Sequence, residues 1–337
     1  MKSRIAVMMF ALVLAVAAIS PAPAKAEPVK IRLGYGVLPG VISPLLFQKK
    51  EILKHYGKSY TVDPIYFQAT SIALQAMAAK ELDISYISFA SLSIAILNGG
   101  IDLKVINDLG MWGSKGHQGP EFMVLTDSGI NSINDLKGKV LATSARGSGF
   151  HYAMLANLKK AGLTDKKDFT VVEVRIPAME AALREKKVDL IIGTPPFLYI
   201  MEKKGGVKRL FKPEDEMGDV QSLLNVARSD FLKENRAAVV DFLEDYVTAL
   251  RWFLDPKNHD EAVGIAATFM KRPPATLGFA FTAKDFYRDR NSMPDLVALQ
   301  RNLDTVYDLG VIKQKIDVKP YVDLSYLEEA VKRIDKK

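Results

Sequence analysis

Apolar and polar positions alternate in two ways through the first two thirds of the chain. Short apolar runs predict strands, and between them apolar residues recur at helical spacing. The predicted strands are Val29 to Gly34, Thr61 to Phe67, Ile84 to Ile87, Leu103 to Ile106, Phe122 to Thr126, Lys139 to Thr143, Val171 to Val174 and Leu190 to Ile192. Strand and helix signals that alternate along a chain favour an α/β fold, with mainly parallel sheets flanked by helices.

The last third of the chain carries apolar stripes at helical spacing instead. The stripes run from Val239 to Phe253, from Leu296 to Leu309 and from Leu327 to Ile334. Such stripes face a core, so no chemistry is assigned to them. To bury against the first sheet, they require the chain to cross between two lobes twice, near residues 113–120 and 223–228. We therefore predict lobe 1 from residues 27–118 and 226–337, lobe 2 from residues 119–225, and two hinge crossings.

One short pattern occurs twice, more than a hundred residues apart. Residues 72–84 and 178–190 both read as a helix that ends in charged residues, followed by an apolar residue, an aspartate and a buried strand. Each strand leads directly into a loop, at 88–91 and at 194–197. The repeat indicates two similar lobes with a cleft between them. We expect the aspartate of each copy to hold the turn between helix and strand, not to bind a ligand.

The N-terminus has the parts of a secretory signal peptide. Lys2 and Arg4 precede an apolar stretch at residues 5–19, and Ala24-Lys25-Ala26 supplies a small-residue cleavage pattern. The stretch is too short to span a membrane. No cysteine follows it, which excludes a lipid anchor. We predict that residues 1–26 are removed and that the mature protein is free in the periplasm.

Composition narrows the possible functions. The chain has no cysteine, which excludes a disulfide framework and thiol catalysis. Without the signal peptide, 43 basic residues face 39 acidic ones, and no basic run predicts nucleic-acid binding. The four histidines lack metal-ligand spacing, and no G-x-S-x-G motif occurs. No metal, cofactor or catalytic site is predicted, and the protein is not expected to be an enzyme.

A set of short motifs follows a fixed order along nearly the whole mature chain. They are Arg32-Leu33-Gly34-Tyr35, Phe67-Gln68, Lys80-Glu81-Leu82-Asp83-Ile84, the run from Ile133 to Lys139, the run from Arg146 to Tyr152, Lys159-Lys160-Ala161-Gly162-Leu163, Lys186-Lys187-Val188-Asp189-Leu190 and the run from Ala227 to Leu232. In this order they resemble the nitrate-, sulfonate- and taurine-type substrate-binding proteins of bacterial ABC importers. The resemblance implies a two-lobed flytrap that holds a small solute and presents it to a membrane permease. It also implies that the chain rejoins the first lobe after the second crossing.

One motif departs from the pattern of that family. Where these binders often have Trp-Asp-Pro, this chain has Thr194-Pro195-Pro196, which lacks the aromatic plate and the acidic group. A more apolar pocket could be lined by Tyr35, Phe67, Phe89, Phe150 and Phe197. The ligand class therefore stays open between an organic anion, such as a sulfonate or carboxylate, and an aromatic or heterocyclic, pyrimidine-like solute.

Two further roles compete with that of an importer component. A solute sensor that feeds a membrane receptor would use the same cleft. Pyrimidine-forming enzymes that resemble these binders carry a cysteine-rich iron motif, and a chain without cysteine lacks it. A monomer is the expected state, with a small solute and an inner-membrane permease as partners.

The candidate site lies in the loops that follow the strands, because ligands of open α/β sheets bind beyond the carboxyl ends of the strands. The predicted ligand-binding residues are Tyr35, Gly36, Leu38, Gln68, Thr70, Ser88, Phe89, Ala90, Ser91, Trp112, Ser144, Arg146, Gly147, Ser148, His151, Thr194, Pro195 and Phe197. Glycines in the 144–149 loop let the backbone approach a ligand, and the next helix presents its positive end. Arg146 can add a bidentate contact, so the loop suits a sulfonate, carboxylate or nitrate.

Four of these residues have competing structural roles. Ser148 can cap the next helix, which is compatible with ligand binding. Arg146 can form a surface salt bridge instead of a ligand contact. His151 is expected to point into helix packing more readily than towards the solute. Trp112, beside the first crossing, can stack on a ligand or pack the hinge.

Overall fold

The computed structural model describes residues 27–336. Its strands are β1 Val29–Tyr35, β2 Tyr60–Tyr66, β3 Ile84–Ser88, β4 Leu103–Trp112, β5 Glu121–Leu125, β6 Val140–Thr143, β7 Thr170–Glu173, β8 Ile191–Gly193, β9 Val207–Phe211 and β10 Val220–Arg228. Its α-helices are α1 Ser43–Leu46, α2 Thr70–Ala78, α3 Phe89–Asn98, α4 Gly149–Lys160, α5 Met179–Arg184, α6 Phe197–Lys204, α7 Glu214–Met217, α8 Ser229–Glu234, α9 Arg236–Phe253, α10 His259–Met270, α11 Leu296–Asp308 and α12 Ser325–Asp335. The predicted signal peptide lies outside the described residues.

The larger sheet has five strands in the order β2-β1-β3-β10-β4. β1 pairs in parallel with β2 and β3, whereas β10 runs antiparallel to β3 and β4. Every residue of β3 is buried. One apolar core joins α1, α9 and α10 to the sheet, and another joins α3 and α11 to it, so helices cover both faces. We call this part of the molecule the large-sheet side.

The smaller sheets lie between residues 121 and 211, which we call the small-sheet side. β5 pairs antiparallel with β8 and β9, and β6 pairs in parallel with β7. A parallel bridge between Leu141 and Leu190 connects the two sets. Phe122 stacks on Phe211 at a centroid distance of 4.5 Å in the core of this side.

The predicted α/β fold class is confirmed, although the sheets are mixed and not mainly parallel. β5 and β10 run antiparallel to the strands on either side of them. Each is the first strand after a connection between the two sides. A strand that enters a sheet from a neighbouring unit is not tied to the direction that a helical crossover imposes.

β10, Val220–Arg228, pairs with β3 and β4 and so belongs to the large sheet over its whole length. The chain therefore returns to the large-sheet side before Val220, somewhat earlier than the expected crossing at 223–228. The lobe bounds themselves stay a prediction. The apolar stripes of the last third do form α9, α11 and α12, and α11 packs against β10 while α12 packs against α9.

The repeated pattern has the same hydrogen-bond scheme in both copies. The aspartate N–H donates to the neighbouring strand, from Asp83 to the carbonyl of Arg32 (3.0 Å) and from Asp189 to that of Val140 (2.7 Å). Each aspartate carboxylate in turn accepts the backbone N–H of that same partner residue at 2.9 Å. Each aspartate therefore fastens its turn to a neighbouring strand, as expected of a structural role.

Between residues 27 and 336, no helix combines the length and the apolar character needed to cross a membrane.

Candidate ligand-binding cleft

A cavity lies where strand ends of the large-sheet side face those of the small-sheet side. Ser88 ends β3 and Trp112 ends β4, while Ser144 follows β6 and Thr194 follows β8. The full lining is Val37, Gly40, Val41, Gln68, Ala69, Thr70, Tyr86, Ser88, Trp112, Ser144, Ser148, Gly149, Phe150, Ile176, Thr194, Pro195, Leu223 and Phe286. This is the position at the carboxyl ends of strands where open α/β sheets bind ligands.

Three helices begin at this cavity. α2 begins at Thr70, α3 follows its N-cap Ser88, and α4 follows its N-cap Ser148. The first N–H groups of a helix have no carbonyl partner within it, and its dipole makes this end positive. The cavity therefore receives backbone donors and positive potential from three directions.

Hydroxyl groups connect the three helix ends. Oγ of Ser91 donates to Oγ1 of Thr70 (2.9 Å) and also lies 3.3 Å from the carbonyl of Gly147. Oγ1 of Thr70 lies 3.1 Å from Oγ of Ser88, and Oγ of Ser144 lies 3.3 Å from Oγ of Ser148. Since a hydroxyl can donate as well as accept, this cluster can turn its protons towards a bound oxyanion.

Trp112 contributes an indole at the same place. Its ring is 1% exposed and stacks on Phe150, with centroids 4.9 Å apart and planes 1° apart. Its buried Nε1–H finds no hydrogen-bond acceptor among the residues the structure describes. An unpaired buried donor costs about 1–3 kcal/mol, so a ligand oxygen that accepts this bond removes a penalty.

No charged side chain lines the cavity within residues 27–336. The hydroxyl of Tyr86 donates to the carbonyl of Phe67 (2.8 Å), and burial raises the pKa of this tyrosine far above its ordinary value. The remaining lining is largely apolar and includes Val37, Val41 and Ile176. The cavity therefore combines neutral donors with hydrocarbon walls.

The available space is small. The volume that the centre of a water molecule can reach inside the cavity is about 60 Å³. This is more space than a single water molecule needs, so the cavity can admit a small polar group.

The structure brings many of the predicted site residues to the cavity. Those that line it are Gln68, Thr70, Ser88, Trp112, Ser144, Ser148, Thr194 and Pro195. Phe89, Ala90 and Ser91 are buried in the first turn of α3, just behind the lining. Tyr35, Gly36, Leu38 and Phe197 line an adjacent groove instead.

Arg146, Gly147 and His151 do not line the cavity. The Arg146 guanidinium binds Asp165 (2.9 Å) and the carbonyl of Val171 (3.1 Å), and its backbone N–H donates to Glu173. The competing salt-bridge role is the one this structure has. Ser148 does cap α4, by accepting the N–H of His151.

His151 points into the protein, where its Nδ1 accepts the backbone N–H of Gly147 (3.1 Å). Burial, reinforced by the charge of Arg146, lowers the pKa of His151 to about 4, although Asp165 and Glu173 act in the opposite direction. The ring is therefore neutral at pH 7. It holds the loop before α4 in place and carries no charge to a ligand.

Phe286 and Leu223 are lining residues that the sequence did not reveal. Phe286 belongs to a long segment without helical or strand periodicity between α10 and α11. The neighbouring Arg288 is buried, pairs with Asp285 (3.0 Å) and donates to the carbonyls of Pro39 and Gly40. Long loops without secondary structure are often functional. The length of the segment between α10 and α11 is the sequence feature that points to Phe286.

A second group of titratable residues lies away from the cavity. His55, Asp241 and Glu244 have side-chain oxygen or nitrogen atoms within 4.8 Å of one another. Arg333 binds Asp241 at 2.9 Å and approaches Glu244 at 3.8 Å. The Nζ of Lys54 also lies 3.5 Å from Glu244, so two of the protein's own cations face the two carboxylates, and Arg333 ties α12 to α9.

The fold and the cleft together define a periplasmic-binding-protein type of molecule. Two family models match parts of the chain: one described as NMT1/THI5 like, over residues 116–258, and one for the periplasmic substrate-binding protein of phosphonate ABC transporters, over residues 52–175.

Individual relatives agree with these models. A Bacillus subtilis (strain 168) protein assigned to aliphatic sulfonate binding is 26% identical over 269 residues, which cover 79% of this chain and 77% of the relative. The alkanesulfonate-binding protein of Xanthomonas axonopodis pv. citri, solved with MOPS, has a TM-score of 0.68 at 19% identity and covers 88% of this chain and 99% of its own. The periplasmic nitrate-binding protein of Synechocystis PCC 6803 has a TM-score of 0.73 at 14% identity, with 92% and 90% covered.

The resemblance predicted from the motifs is thus confirmed: the homologues are substrate-binding proteins of ABC importers. Binding of a solute for delivery to such an importer is the role that fits this chain.

Proposed function

We propose that the protein binds the oxyanion group of a small organic monoanion, with a sulfonate as the first choice, and presents it to an ABC permease. The convergence of three helix N-termini on a cavity without charged side chains carries this proposal. Helix N-termini bind anions through backbone N–H groups and their dipoles. Ser and Thr hydroxyls add neutral donors at the same cavity, which is also lined by Trp112, whose buried Nε1–H has no acceptor among the described residues.

The wall chemistry favours an organic anion over an inorganic one. An inorganic oxyanion needs donors on all sides, whereas here Val41, Ile176 and Leu223 face the same space as the hydroxyls. Burying apolar groups of the ligand against these residues contributes binding energy. The sulfonate-binding relatives support this choice.

Nitrate is the second candidate, because the nitrate-binding relative shares the fold and nitrate fits the small volume. An aromatic or pyrimidine-like ligand has less support. Trp112 and Phe150 already stack on each other, so one face of each ring is covered and cannot hold a ligand.

The remaining assignments follow from the same site. The lining holds no histidine, lysine, aspartate or glutamate among the described residues, so no general base faces the solute, and we propose no catalytic role. We propose that the protein is a monomer, as expected from the sequence. We propose export through the predicted signal peptide, with Glu27 as the mature N-terminus, which N-terminal sequencing of the periplasmic protein checks.

Isothermal titration calorimetry with methanesulfonate, acetate, nitrate and uracil tests the ligand class. We expect methanesulfonate to bind most tightly, and Thr70→Val to weaken it by about tenfold or more through loss of a charged hydrogen bond. Thr305→Val removes a hydroxyl from the exposed face of α11 and serves as the matched control. Preference for uracil, or equal binding to both variants, would contradict the proposal.

A further inference from the structure

A buried ion pair lies behind one wall of the cavity. Arg288 and Asp285 belong to the segment between α10 and α11, and the side chain of each is 1% exposed. The guanidinium lies 3.0 Å from the carboxylate, and neither residue lines the cavity itself. Burying two charges costs free energy that only a well-arranged set of hydrogen bonds offsets. The hydrogen-bond partners of this pair therefore indicate what it holds in place.

The pair holds Phe286 by both of its backbone polar groups. Oδ1 of Asp285 accepts the N–H of Phe286 (2.8 Å), and Nη1 of Arg288 donates to the carbonyl of Phe286 (3.1 Å). The other Asp285 oxygen accepts the N–H of Phe281 (3.2 Å), an aromatic residue with a φ of 62°. A bulky residue keeps this left-handed conformation only where its surroundings impose it. The ion pair therefore fixes the backbone that carries Phe286.

Arg288 also fastens this segment to the loop after β1. Its Nη2 donates to the carbonyls of Pro39 (3.1 Å) and Gly40 (2.9 Å). The two terminal nitrogens of an arginine carry four N–H groups, and here they have four acceptors: a carboxylate oxygen of Asp285 and the carbonyls of Phe286, Pro39 and Gly40. One guanidinium therefore sets the distance between Phe286 and the loop.

The Phe286 ring meets this loop at Gly40. A Cβ at Gly40 would lie 3.1 Å from Cε2 of Phe286 and 3.3 Å from the carbonyl oxygen of Val37, so the position has little room for a side chain. Val37, Gly40, Val41 and Phe286 all line the cavity, and we call these four residues the Phe286 wall. Arg288 thus joins the two parts of this wall from behind.

The Phe286 wall and the oxyanion donors come from different parts of the chain. The donors lie where α2, α3 and α4 begin, whereas the wall comes from residues 37–41 and from the segment before α11. A shift of the wall changes the room beside the bound oxyanion and removes none of these donors. Because a closely packed wall admits added volume only at a cost, its position selects among solutes by width.

We propose that Arg288 and Asp285 are positioning residues that set the width of the solute the cavity accepts, because they hold Phe286 against the 37–41 loop. The proposal rests on the oxyanion function proposed above and adds to it a selection by shape next to the oxyanion. Arg288 acts through the Phe286 wall and does not touch the solute.

Isothermal titration calorimetry with methanesulfonate and the branched propane-2-sulfonate tests the proposal through the ratio of the two affinities. Arg288→Lys keeps a positive charge beside Asp285 but has three N–H groups for four acceptors, so Phe286 should loosen from the loop. We expect the ratio to shift by about fivefold or more towards propane-2-sulfonate, as it should in Phe286→Ala, which removes the ring. The double variant should stay within about twofold of Phe286→Ala, because residues that act through one another are not additive.

Two further variants control for stability. Arg228 is mostly buried and binds Asp83 and the carbonyl of Leu82, outside the cavity lining. Arg228→Lys should lower the thermal unfolding temperature and leave the affinity ratio within about twofold of the wild type. If Arg288→Lys does not fold, Asp285→Asn releases Phe286 from the other side, because one of the two acceptor oxygens becomes an NH₂ group. The same shift of the ratio is then expected.

An equal loss of both affinities in Arg288→Lys, with their ratio unchanged, would overturn the proposal and leave the ion pair with a role in stability alone. A double variant that shifts the ratio by the product of the two single shifts would overturn it as well. If the wild type binds methanesulfonate and Phe286→Ala leaves the ratio unchanged, the oxyanion site stands and the selection by width fails. If the wild type binds neither sulfonate, the proposed function fails and the selection by width fails with it.

Discussion

Trp112 and Phe150 stack in parallel across the cleft, one at the end of β4 and the other in the first turn of α4. Their contact joins the large-sheet side to the small-sheet side next to the three helix N-termini. Trp112 and Phe150 both line the cavity at which α3 and α4 begin. A ligand that accepts the indole N–H binds at a point that both sides define.

Removal of the Trp112 indole N–H tests this point. Trp112→Phe keeps an aromatic face against Phe150 and deletes the donor, so oxyanion affinity should fall by about 1.5–3 kcal/mol, the worth of a hydrogen bond to a charged group. Trp252→Phe is the matched control, because Trp252 lies beside Lys49, outside the cavity lining. Isothermal titration calorimetry measures the affinity of both variants. Equal affinity in Trp112→Phe and the wild type would show that the indole N–H does not bind the ligand.

Gly149 has no room for a side chain. An added Cβ would lie 2.9 Å from Cβ of Ser88 and 3.2 Å from the Trp112 ring, so Gly149→Ala should push the start of α4 away from α3. We expect at least a tenfold loss of affinity, or about 1.4 kcal/mol. Gly264→Ala introduces its methyl group into open space within α10 and should stabilise the protein by about 0.5–1 kcal/mol. Unchanged affinity in Gly149→Ala would show that the two helix ends need not approach closely.

Arg146→Ala separates a loop role from a ligand role. The Arg146 side chain is 42% exposed and paired with Asp165, so its loss should cost about 0–1 kcal/mol of stability. Affinity for a sulfonate should stay within about threefold of the wild type, because the guanidinium does not line the cavity. A tenfold weaker binding constant would mean that Arg146 turns to the ligand when it binds.

The pKa of His151 gives stability a defined pH dependence. The unfolded chain takes up a proton near pH 6.5, whereas the folded protein does so only near pH 4. The unfolded state therefore binds more protons in this window, and the free energy of unfolding falls as the pH drops from about 6.5 to 4, by roughly 3 kcal/mol from this group.

Urea unfolding at pH 7 and pH 5 checks this against His151→Gln, which has no titrating ring. The wild type should lose more stability than the variant over this interval. Asp108 acts in the opposite direction, because burial raises its pKa to about 6, but it is present in both proteins and cancels in the comparison. Equal losses would show that His151 is accessible to protons in the folded state.

Local patterns predicted the framework of the cleft well. The two copies of the helix-to-strand pattern placed Ser88 and Thr194 at strand ends that face the cavity, and the cap at Ser148 followed from its position before α4. Each of these features depends on a few neighbouring residues, so the sequence is sufficient to predict them.

Features that depend on distant partners were not predictable in this way. Arg146 turns towards Asp165 and the Val171 carbonyl, which come into reach only when β7 pairs with β6. Phe286 reaches the cavity because Arg288 is held by the carbonyls of Pro39 and Gly40, about 250 positions earlier in the chain. The antiparallel entry of β10 likewise depends on where the second connection returns.

The most direct test of the central claim compares ethanesulfonate with ethanesulfonamide, a neutral molecule of nearly the same shape, by isothermal titration calorimetry. A site of three positive helix ends and neutral donors should bind the sulfonate at least a hundredfold more tightly, since only the anion gains from the dipoles. Equal affinity for the two compounds, or tighter binding of the sulfonamide, would contradict an oxyanion site built from helix N-termini.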